Sequence, residues 1–330
     1  MVRAPLPRRP APRPEALPFP DPLQPDGELA GFLERAADLL CRWLGSSRSA
    51  GPLPLLGVPP DVAPRLEGLG ADHLLADLER VMQGAFNPNH PGALAHLDPP
   101  PLTASIVAEL ICAGLNNNLL AEELSPSLTQ LERRLCGWLA DRLGLPEGSG
   151  GVAASGGTLS NLMALVTARQ QRHPAVSGGG VVLCSVDAHV SLLKAVRVMG
   201  LPESALVRLP VDGAGRMDTG ALAERLEALE RAGVPVLAVV ATAGSTVRGA
   251  VDPLPAIASL CRRHGHWLHV DGAIGAVFAL ADDHRHRVAG LEQADSVTVN
   301  PQKLLGITKT SSLLLLAEPE ALPRSFGTGL

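Results

Sequence analysis

Four short segments in the second half of the chain place chemically capable side chains at the ends of short apolar runs. The first, residues 153–161 (AASGGTLSN), is rich in glycine and opens onto a helical pattern. Glycine allows a close backbone approach, and the free amides and dipole of a helix start favour an anion such as phosphate. An ordinary turn capped by serine or threonine has the same pattern, so this segment alone leaves both interpretations open.

The second segment, residues 267–273 (WLHVDGA), ends an apolar run with Asp271, and His269 lies two residues earlier on the same strand face. A carboxylate at the end of a buried strand is costly unless it meets a cation or hydrogen-bond donors. Asp271 is therefore predicted either to pair with a cationic group or to cap the following turn.

The third segment, residues 296–303 (SVTVNPQK), places Lys303 directly after a strand-like run and a proline turn. The chain has only two other lysines, Lys194 and Lys309, so any lysine chemistry uses one of the three. A lysine sheltered by apolar residues loses its charge more easily and can act as a nucleophile. An exposed loop position is the alternative for Lys303, and helix spacing favours a surface role for Lys194.

The fourth segment, residues 187–194 (DAHVSLLK), puts His189 where a strand-like run meets a helical one. A histidine at such a junction suits ring stacking or acid–base chemistry. The same residue can simply close the start of the helix, and the sequence leaves this choice open.

Short apolar runs alternate with amphipathic stretches after residue 150, and this rhythm predicts the elements that position the four segments. The predicted strands are Val181–Ser185, Ala205–Leu209, Val236–Thr242, Trp267–Asp271, Ser296–Val299 and Ser311–Ala317, and the predicted helices are 158–172, 189–199, 218–232 and 254–264. Such alternation indicates an α/β fold with a mainly parallel sheet covered by helices. Ligands bind such sheets at the carboxyl ends of the strands, so the four segments are expected to meet there.

The first part of the chain is predicted to be a disordered tail followed by helices. Residues 1–27 contain nine prolines and four arginines, which disfavour regular structure. Apolar residues at helical spacing predict helices over 28–48, 71–84, 101–121 and 126–143. The last of these is expected to begin with Ser125 as N-cap and Pro126 at the first helical position.

Charge and composition exclude several classes of protein. Among 330 residues, 28 basic and 33 acidic side chains give a net charge of −5, which provides no basic field for nucleic acid or an anionic membrane. No apolar run approaches the roughly 20 residues of a membrane span. Five scattered cysteines form neither a disulfide framework nor a metal-binding ribbon, so we expect reduced thiols in a cytoplasmic protein without a metal.

In order and spacing, the segments resemble the group II pyridoxal-phosphate-dependent amino-acid decarboxylases. This family includes glutamate, aspartate, aromatic amino-acid and 2,4-diaminobutyrate decarboxylases. The motifs that carry the resemblance are SGGTLSNLMAL, DAHVSLLKA, ATAGSTVRGAVDP, HVDGA and NPQK, preceded by NPNHPGALAHLDPPPLTASIVAELICAGLNNN and ELSPSLTQLE. The similarity runs from about residue 80 to the end of the sequence, so it does not depend on one short motif.

The resemblance implies catalytic roles for Lys303, Asp271 and His189, and a cofactor contact for Ala273. Lys303 would form the Schiff base with pyridoxal phosphate. Asp271 would pair with the protonated pyridine nitrogen and strengthen the ring as an electron sink. His189 would stack on one face of the ring, and Ala273 would pack on the other.

The resemblance also implies further cofactor contacts and shows two departures from the family pattern. Gly157 and Thr158 would hold the phosphate with help from the helix dipole, and Thr246 and Asn300 match other cofactor-contacting positions. The departures are Gln302, where many members have histidine, and Gly272, where many have alanine. Because glutamine donates a hydrogen bond but does not transfer a proton, the identity of the proton donor stays open.

By the same resemblance, the fold is that of fold type I pyridoxal-phosphate enzymes, with a mainly parallel sheet of seven strands. Residues 1–27 would be a tail, 28–100 an N-terminal helical arm packed on a partner subunit, and 101–330 the cofactor-binding large domain of a homodimer. The family continues with a small C-terminal domain that carries a carboxylate-binding arginine, and the sequence stops where that domain would begin. We therefore expect this chain to bind the cofactor but to release CO2 poorly.

The implied function is decarboxylation of an L-amino acid to an amine and CO2. Two alternatives remain: transamination or carbon–carbon lyase chemistry on the same fold, and a catalytically incomplete protein that binds the cofactor or dimerises. We favour a polar substrate such as 2,4-diaminobutyrate, aspartate or glutamate over an aromatic one. His90, His96 and Asp98 are candidates for contacting a polar substrate side chain, or are loop hydrogen-bonding residues.

Overall fold

The computed structural model describes residues 19–49, 54, 57–63, 68, 70–93, 97–173 and 179–327 of the chain. The chain divides into two compact units, Met1–His96 and Leu97–Leu330. Most of the predicted tail lies outside the described residues, as does His96, and the predicted domain boundaries stay predictions. No helix in the described ranges is both long enough and apolar enough to cross a membrane.

The first unit contains two helices, α1 (Gly27–Gly45) and α2 (Ala71–Gln83). The side chain of Asp26 caps α1 by accepting a hydrogen bond from the amide of Leu29 at 2.9 Å, which satisfies one free donor of the first turn. The helix predicted over 28–48 is confirmed, although its last three residues, Ser46–Arg48, form a 3₁₀ turn.

The second unit is a seven-stranded sheet with helices on both faces. Its elements in chain order are α3 (Thr103–Leu115), α4 (Pro126–Leu143), β1 (Gly150–Ala154), α5 (Gly157–Arg172), β2 (Val181–Ser185), α6 (Ser191–Val198), β3 (Leu206–Leu209), α7 (Thr219–Arg231), β4 (Val236–Thr242), α8 (Leu254–His264), β5 (Leu268–Asp271), α9 (Asp282–Arg285), β6 (Ser296–Val299), β7 (Ser312–Leu316) and α10 (Ala321–Phe326). The strand order is β1-β7-β6-β5-β4-β2-β3. Only β7 runs against its neighbours, so the predicted, mainly parallel α/β sheet is confirmed.

Two hydrophobic layers hold this sheet between its helices. Along β4, which is buried over its whole length, Val239 and Ala241 join the layer under α4, α7 and α8. Ala238 and Val240 join the opposite layer under α5, α6 and α10. Because both faces are covered, the strand reads as a continuous apolar run, which explains why the sequence identified it so clearly.

Strand β1 was not predicted, because its residues GGVAA have little intrinsic β preference. It forms because Val152 pairs with Leu314 in an antiparallel ladder with β7. A Cβ on Gly151 would stand 2.1 Å from the carbonyl oxygen of Leu314, so this position requires glycine. The strand directs the chain into the glycine-rich segment at the start of α5.

The end of one helix and the cap of another differ from their predictions. Helix α3 ends at Leu115 rather than at residue 121, because Asn116 adopts the left-handed conformation with φ of 44°. Helix α4 begins at Pro126 as predicted, but Ser125 does not cap it with its side chain. The Ser125 hydroxyl instead donates a hydrogen bond to the side-chain oxygen of Asn117 at 3.2 Å.

Candidate active site

The loops that carry the predicted site residues leave the sheet at one edge. Strands β1, β2, β4, β5 and β6 are mutually parallel, since β1 and β6 both run against β7 between them. Their carboxyl ends therefore point the same way and lead to Gly157, His189, Thr246, Asp271 and Lys303, in that strand order. This is the edge at which parallel sheets bind ligands.

The glycine-rich segment packs against Asn300. Gly157 is the first residue of α5, and a Cβ at this position would stand 3.0 Å from Nδ2 and 3.1 Å from Oδ1 of Asn300. Ser312 donates a hydrogen bond to Asn300 Oδ1 at 2.7 Å, and its Oγ lies 2.8 Å from the hydroxyl of Ser160 in the first turn of α5. Glycine thus lets the helix start and a buried amide come together, and the exposed Thr158 hydroxyl adds a donor beside them.

Asp271 is buried and receives donors from two sides. The side-chain amide of Asn161 donates to Oδ2 at 2.8 Å, and the backbone amide of Ala273 donates to Oδ1 at 3.2 Å. These bonds support a charged carboxylate in a site from which water is largely excluded. Asp271 thus has both the burial and the hydrogen bonds that an aspartate paired with a cationic ring nitrogen requires.

His269, on the same strand face as Asp271, is fully buried and belongs to the same hydrogen-bonded group. Its Nε2 lies 3.0 Å from Asn161 Oδ1, and its Nδ1 lies 2.9 Å from Ser296 Oγ. Burial lowers the pKa of His269, and the charge of Asp271 offsets part of that effect. The imidazole is therefore neutral and acts as a hydrogen-bonding group.

His189 is oriented by the start of helix α6. Its Nδ1 lies 2.9 Å from the hydroxyl of Ser191 and accepts a hydrogen bond from the amide of Ser191 at 3.2 Å. Because an amide nitrogen only donates, Nδ1 of the neutral ring is an acceptor and the ring proton is on Nε2. The ring is thereby held at the strand-to-helix junction where the sequence placed it.

Lys303 is half-buried in the turn that follows β6. Its backbone amide donates to the carbonyl of Asn300 at 3.0 Å, which closes the turn. Burial lowers the pKa of the Lys303 ammonium from its ordinary value of 10.5, and the negative charges of Asp271 and Asp98 offset part of this effect. A lysine in this environment releases its proton more readily than an exposed one, as a nucleophilic amine must.

The loop after Lys303 is attached to the segment that precedes and begins helix α3. The amide of Leu102 donates to the carbonyl of Gly306 at 2.8 Å, and the amide of Thr308 donates to the hydroxyl of Ser105 at 2.9 Å. These bonds fix the loop just after Leu304 and Leu305, whose side chains are exposed. The lysine turn is therefore held from a part of the chain about 200 residues away in sequence.

Three remaining predicted positions are placed as follows. Thr246 lies on the exposed loop after β4, where it makes no hydrogen bond to another predicted site residue within the described part of the chain. His90 accepts a hydrogen bond from the amide of Gly92 at 3.0 Å, as a loop hydrogen-bonding residue does. Asp98 forms an ion pair with Lys309, with Oδ2 and Nζ 2.8 Å apart.

The structure adds four residues that the sequence did not identify as part of the site: Asn161, Ser191, Ser296 and Thr298. All four are at most 1% exposed and share one hydrogen-bonded group with His269. The available signal was polarity at buried positions: Asn161 lies on the buried face of α5, and Ser296 and Thr298 alternate with valines in β6. Periodicity shows that such positions are buried, but it does not show which polar groups meet.

Comparison with solved structures defines the class of protein. Mouse CSAD aligns with a TM-score of 0.86 and 28% sequence identity over 92% of this chain and 66% of that chain. The glutamate decarboxylase domain of a Vibrio parahaemolyticus protein, described as diaminobutyrate-pyruvate transaminase and L-2,4-diaminobutyrate decarboxylase, aligns with a TM-score of 0.83 and 27% identity over 93% of this chain and 70% of that chain. The fold is therefore that of the pyridoxal-phosphate decarboxylases of fold type I.

Sequence comparison then identifies the family. Residues 60–328 match the pyridoxal-dependent decarboxylase conserved domain, and the chain belongs to this family. An L-2,4-diaminobutyrate decarboxylase of Rhizobium meliloti is 38% identical over 267 residues, which cover 80% of this chain and 54% of that protein. Human cysteine sulfinic acid decarboxylase is 33% identical over 273 residues, 79% of this chain and 54% of that protein. The chain thus spans about half the length of these curated relatives.

The cofactor of this family is pyridoxal phosphate, and the residues present fit it. The glycine at position 157 leaves room for an anion at the start of α5, where a Cβ would crowd Asn300. The buried carboxylate of Asp271 suits a protonated ring nitrogen, and the half-buried Lys303 suits an aldehyde. Three separate chemical requirements of one cofactor are therefore met at one sheet edge.

Proposed function

We propose that the protein is a pyridoxal-phosphate-dependent decarboxylase that converts a polar L-amino acid to an amine and CO2. The observation that carries this proposal is that a half-buried lysine of lowered pKa and a buried, hydrogen-bonded aspartate both lie at the carboxyl edge of a parallel sheet. Its relatives include diaminobutyrate, aspartate and cysteine sulfinic acid decarboxylases, which supports the reaction and the polarity of the substrate.

Each site residue has a task in this reaction. Bound pyridoxal phosphate supplies an electron sink for the electron pair left when CO2 departs. The carboxylate of Asp271 holds a proton on the ring nitrogen, which strengthens that sink. The start of α5 at Gly157, together with Thr158 and Asn300, holds the phosphate. His189 and Ala273 confine the ring from its two faces.

Lys303 would hold the cofactor covalently until the amino group of the substrate takes its place. Its lowered pKa favours the neutral amine that attacks an aldehyde carbon. The turn bonds to Asn300 and Gly306 keep its backbone in place while the side chain is exchanged. Lys303 would thus be the residue to which the cofactor is attached.

Gln302 serves to hold the loop. Its Oε1 accepts a hydrogen bond from the amide of Ser311 at 2.6 Å, which ties the lysine turn to the start of β7. Because an amide does not transfer a proton, Gln302 is not the acid that protonates the α-carbon. Its free NH2 group can still donate to an anionic oxygen of the substrate or the cofactor.

The ion pair of Asp98 and Lys309 supports a polar substrate. The charge of Asp98 acts on Lys303, so the pair lies within electrostatic reach of the reacting amine. The side chains are 32% and 53% exposed, so an incoming charged side chain can compete for either member. An aromatic side chain would have to cover this ion pair without replacing its interactions, which is unfavourable.

Product analysis tests the reaction. The cofactor-loaded chain is incubated with carboxyl-labelled 2,4-diaminobutyrate, aspartate, glutamate, cysteine sulfinate and an aromatic amino acid. We expect labelled CO2 and the corresponding amine in equal amounts from at least one polar substrate, with little product from the aromatic one. The ratio of products, rather than their rate, is the readout. A keto acid in place of the amine would establish the alternative of transamination.

We also propose that the protein forms a homodimer through helices α3 and α4. Six large apolar side chains on these helices are 45–60% exposed: Val107, Leu110, Ile111, Leu131, Leu135 and Trp138. On each helix, one of the three residues lies three or four positions from each of the other two, so the three share one face. Exposed apolar faces of this kind are typical of an interface. A second copy of the chain is the occupant that the family resemblance implies.

Sedimentation analysis tests the dimer. Ile111→Glu is expected to shift the chain from dimer to monomer at micromolar concentration, because a charge in an apolar interface is left without a partner. Val198→Glu is the matched control, since Val198 is an isolated apolar residue of α6 that is 71% exposed. A wild-type chain that sediments as a monomer would contradict the proposal.

A cytoplasmic location is the remaining part of the proposal. All five cysteines lie among the described residues and are free thiols. Burial raises the pKa of Cys136, Cys184 and Cys261 to about 12, so these three thiols stay protonated and unreactive. A chain with unpaired cysteines suits a reducing compartment.

A further inference from the structure

A chain of buried hydrogen bonds links Trp267 to Asp271, and the residues at its two ends determine where the protons lie. The indole nitrogen of Trp267, which only donates, lies 2.9 Å from Ser296 Oγ. The ionised carboxylate of Asp271 only accepts. Between these ends, each hydrogen bond has one consistent direction, and together they form a chain from Trp267 to Asp271.

The chain runs through His269 and Asn161. Because Trp267 donates to Ser296, the Ser296 hydroxyl is free to donate to Nδ1 of His269, 2.9 Å away. The ring proton is then on Nε2, which donates to Asn161 Oδ1 at 3.0 Å. The hydroxyl of Thr298 donates to the same oxygen at 2.8 Å. Two donors on Oδ1 prevent the amide of Asn161 from turning over.

The NH2 group of Asn161 therefore faces two acceptors. It donates to Asp271 Oδ2 at 2.8 Å and to Ser191 Oγ at 2.9 Å. The Ser191 hydroxyl is then free to donate to Nδ1 of His189, 2.9 Å away. One amide group thus joins the aspartate to the histidine, although Asp271 and His189 lie 82 positions apart in the sequence.

We propose that Asn161 is a positioning residue that orients two groups of the cofactor site at once: the carboxylate of Asp271 and, through Ser191, the ring of His189. The inference rests on the proposed function, because both groups act there on the same cofactor ring. Asn161 is itself 1% exposed and acts through Asp271 and Ser191. The positions of the Asp271 carboxylate and of the His189 ring therefore both depend on this one buried side chain.

The decisive variant is Asn161→Asp, which keeps the size of the side chain but removes both donors. A second carboxylate beside Asp271 shares a proton with it, so Asp271 no longer stabilises the protonated ring nitrogen. Loss of a hydrogen bond to a charged group is expected to weaken cofactor binding by about 10- to 100-fold. The ¹⁵N resonance of the ring nitrogen in labelled pyridoxal phosphate should also move toward the unprotonated form.

Two further variants separate positioning from general destabilisation. Ser191→Ala should disturb the circular dichroism of the bound cofactor, because the ring of His189 loses one of its donors, while the ring-nitrogen resonance stays as in the wild type. Thr167→Val is the matched control: Thr167 is buried on the same helix, and its hydroxyl has no hydrogen-bond partner. It should leave cofactor affinity and both spectra unchanged.

The outcomes discriminate between this inference and the proposed function. An Asn161→Asp chain with the wild-type ring-nitrogen resonance and a cofactor dissociation constant within about twofold of wild type overturns the inference alone. If Asn161→Asp does not fold, Asn161→Ser carries the same expectations, since its hydroxyl is too short to reach both acceptors. A wild-type chain that binds no pyridoxal phosphate overturns the proposed function as well.

Discussion

Replacing Lys303 by alanine is expected to abolish covalent attachment of pyridoxal phosphate. Borohydride reduction of the loaded wild-type chain, followed by peptide mapping, should place the pyridoxyl group on Lys303. Burial in the turn lowers the pKa of the Lys303 ammonium from 10.5. The rate at which Lys303 reacts with pyridoxal phosphate should therefore rise with pH and level off at a lower pH than for an exposed lysine. The cofactor can still bind to Lys303→Ala through noncovalent contacts, but it should dialyse away.

The two other lysines of the chain are the controls for this experiment. Lys194 is exposed on helix α6, and Lys309 is paired with Asp98. Lys194→Ala should retain the wild-type adduct in full. An adduct found mainly on Lys194 or Lys309 would show that the attachment site has been misassigned.

Replacing Asp271 by asparagine is expected to leave part of the cofactor bound and to remove most of the turnover. A neutral side chain no longer favours the protonated ring nitrogen, so the electron sink is weakened in the step that releases CO2. Loss of one such electrostatic contribution lowers turnover on the order of 100-fold or more. The measurement is the initial rate of CO2 release with the best substrate of the panel, at saturating cofactor.

Asp295→Asn is the matched control for that variant. Asp295 is a partly buried acid beside β5, and burial raises its pKa, but it lies at the opposite edge, where its Oδ2 accepts from the amide of Leu268 at 2.7 Å. This substitution can lower stability but should leave the ring-nitrogen resonance unchanged. Equal turnover of wild type and Asp271→Asn would refute the electron-sink role.

Local sequence signals were sufficient for the elements that do not depend on distant partners. The strands β2, β4 and β6 were predicted with their observed bounds. In β2 and β4, residues buried on both faces leave a nearly continuous apolar run, and β6 is a short run with two valines that ends at a proline turn. Helix α8 was predicted over its observed range, 254–264, from its apolar spacing. Strand β1 escaped prediction because pairing with β7, rather than its own residues, makes it a strand.

Some residues of the candidate site could likewise be identified from the sequence, whereas their contacts are seen only in the tertiary structure. Residue type, spacing and the resemblance to a known family singled out Lys303, Asp271 and His189, because each stands next to the end of a strand or helix that the sequence itself reveals. Only the folded chain shows that Asn161 joins Asp271 to His189 and that Asp98 pairs with Lys309. Periodicity determines which face of an element is buried, whereas the meeting of polar side chains from separate elements depends on how those elements pack.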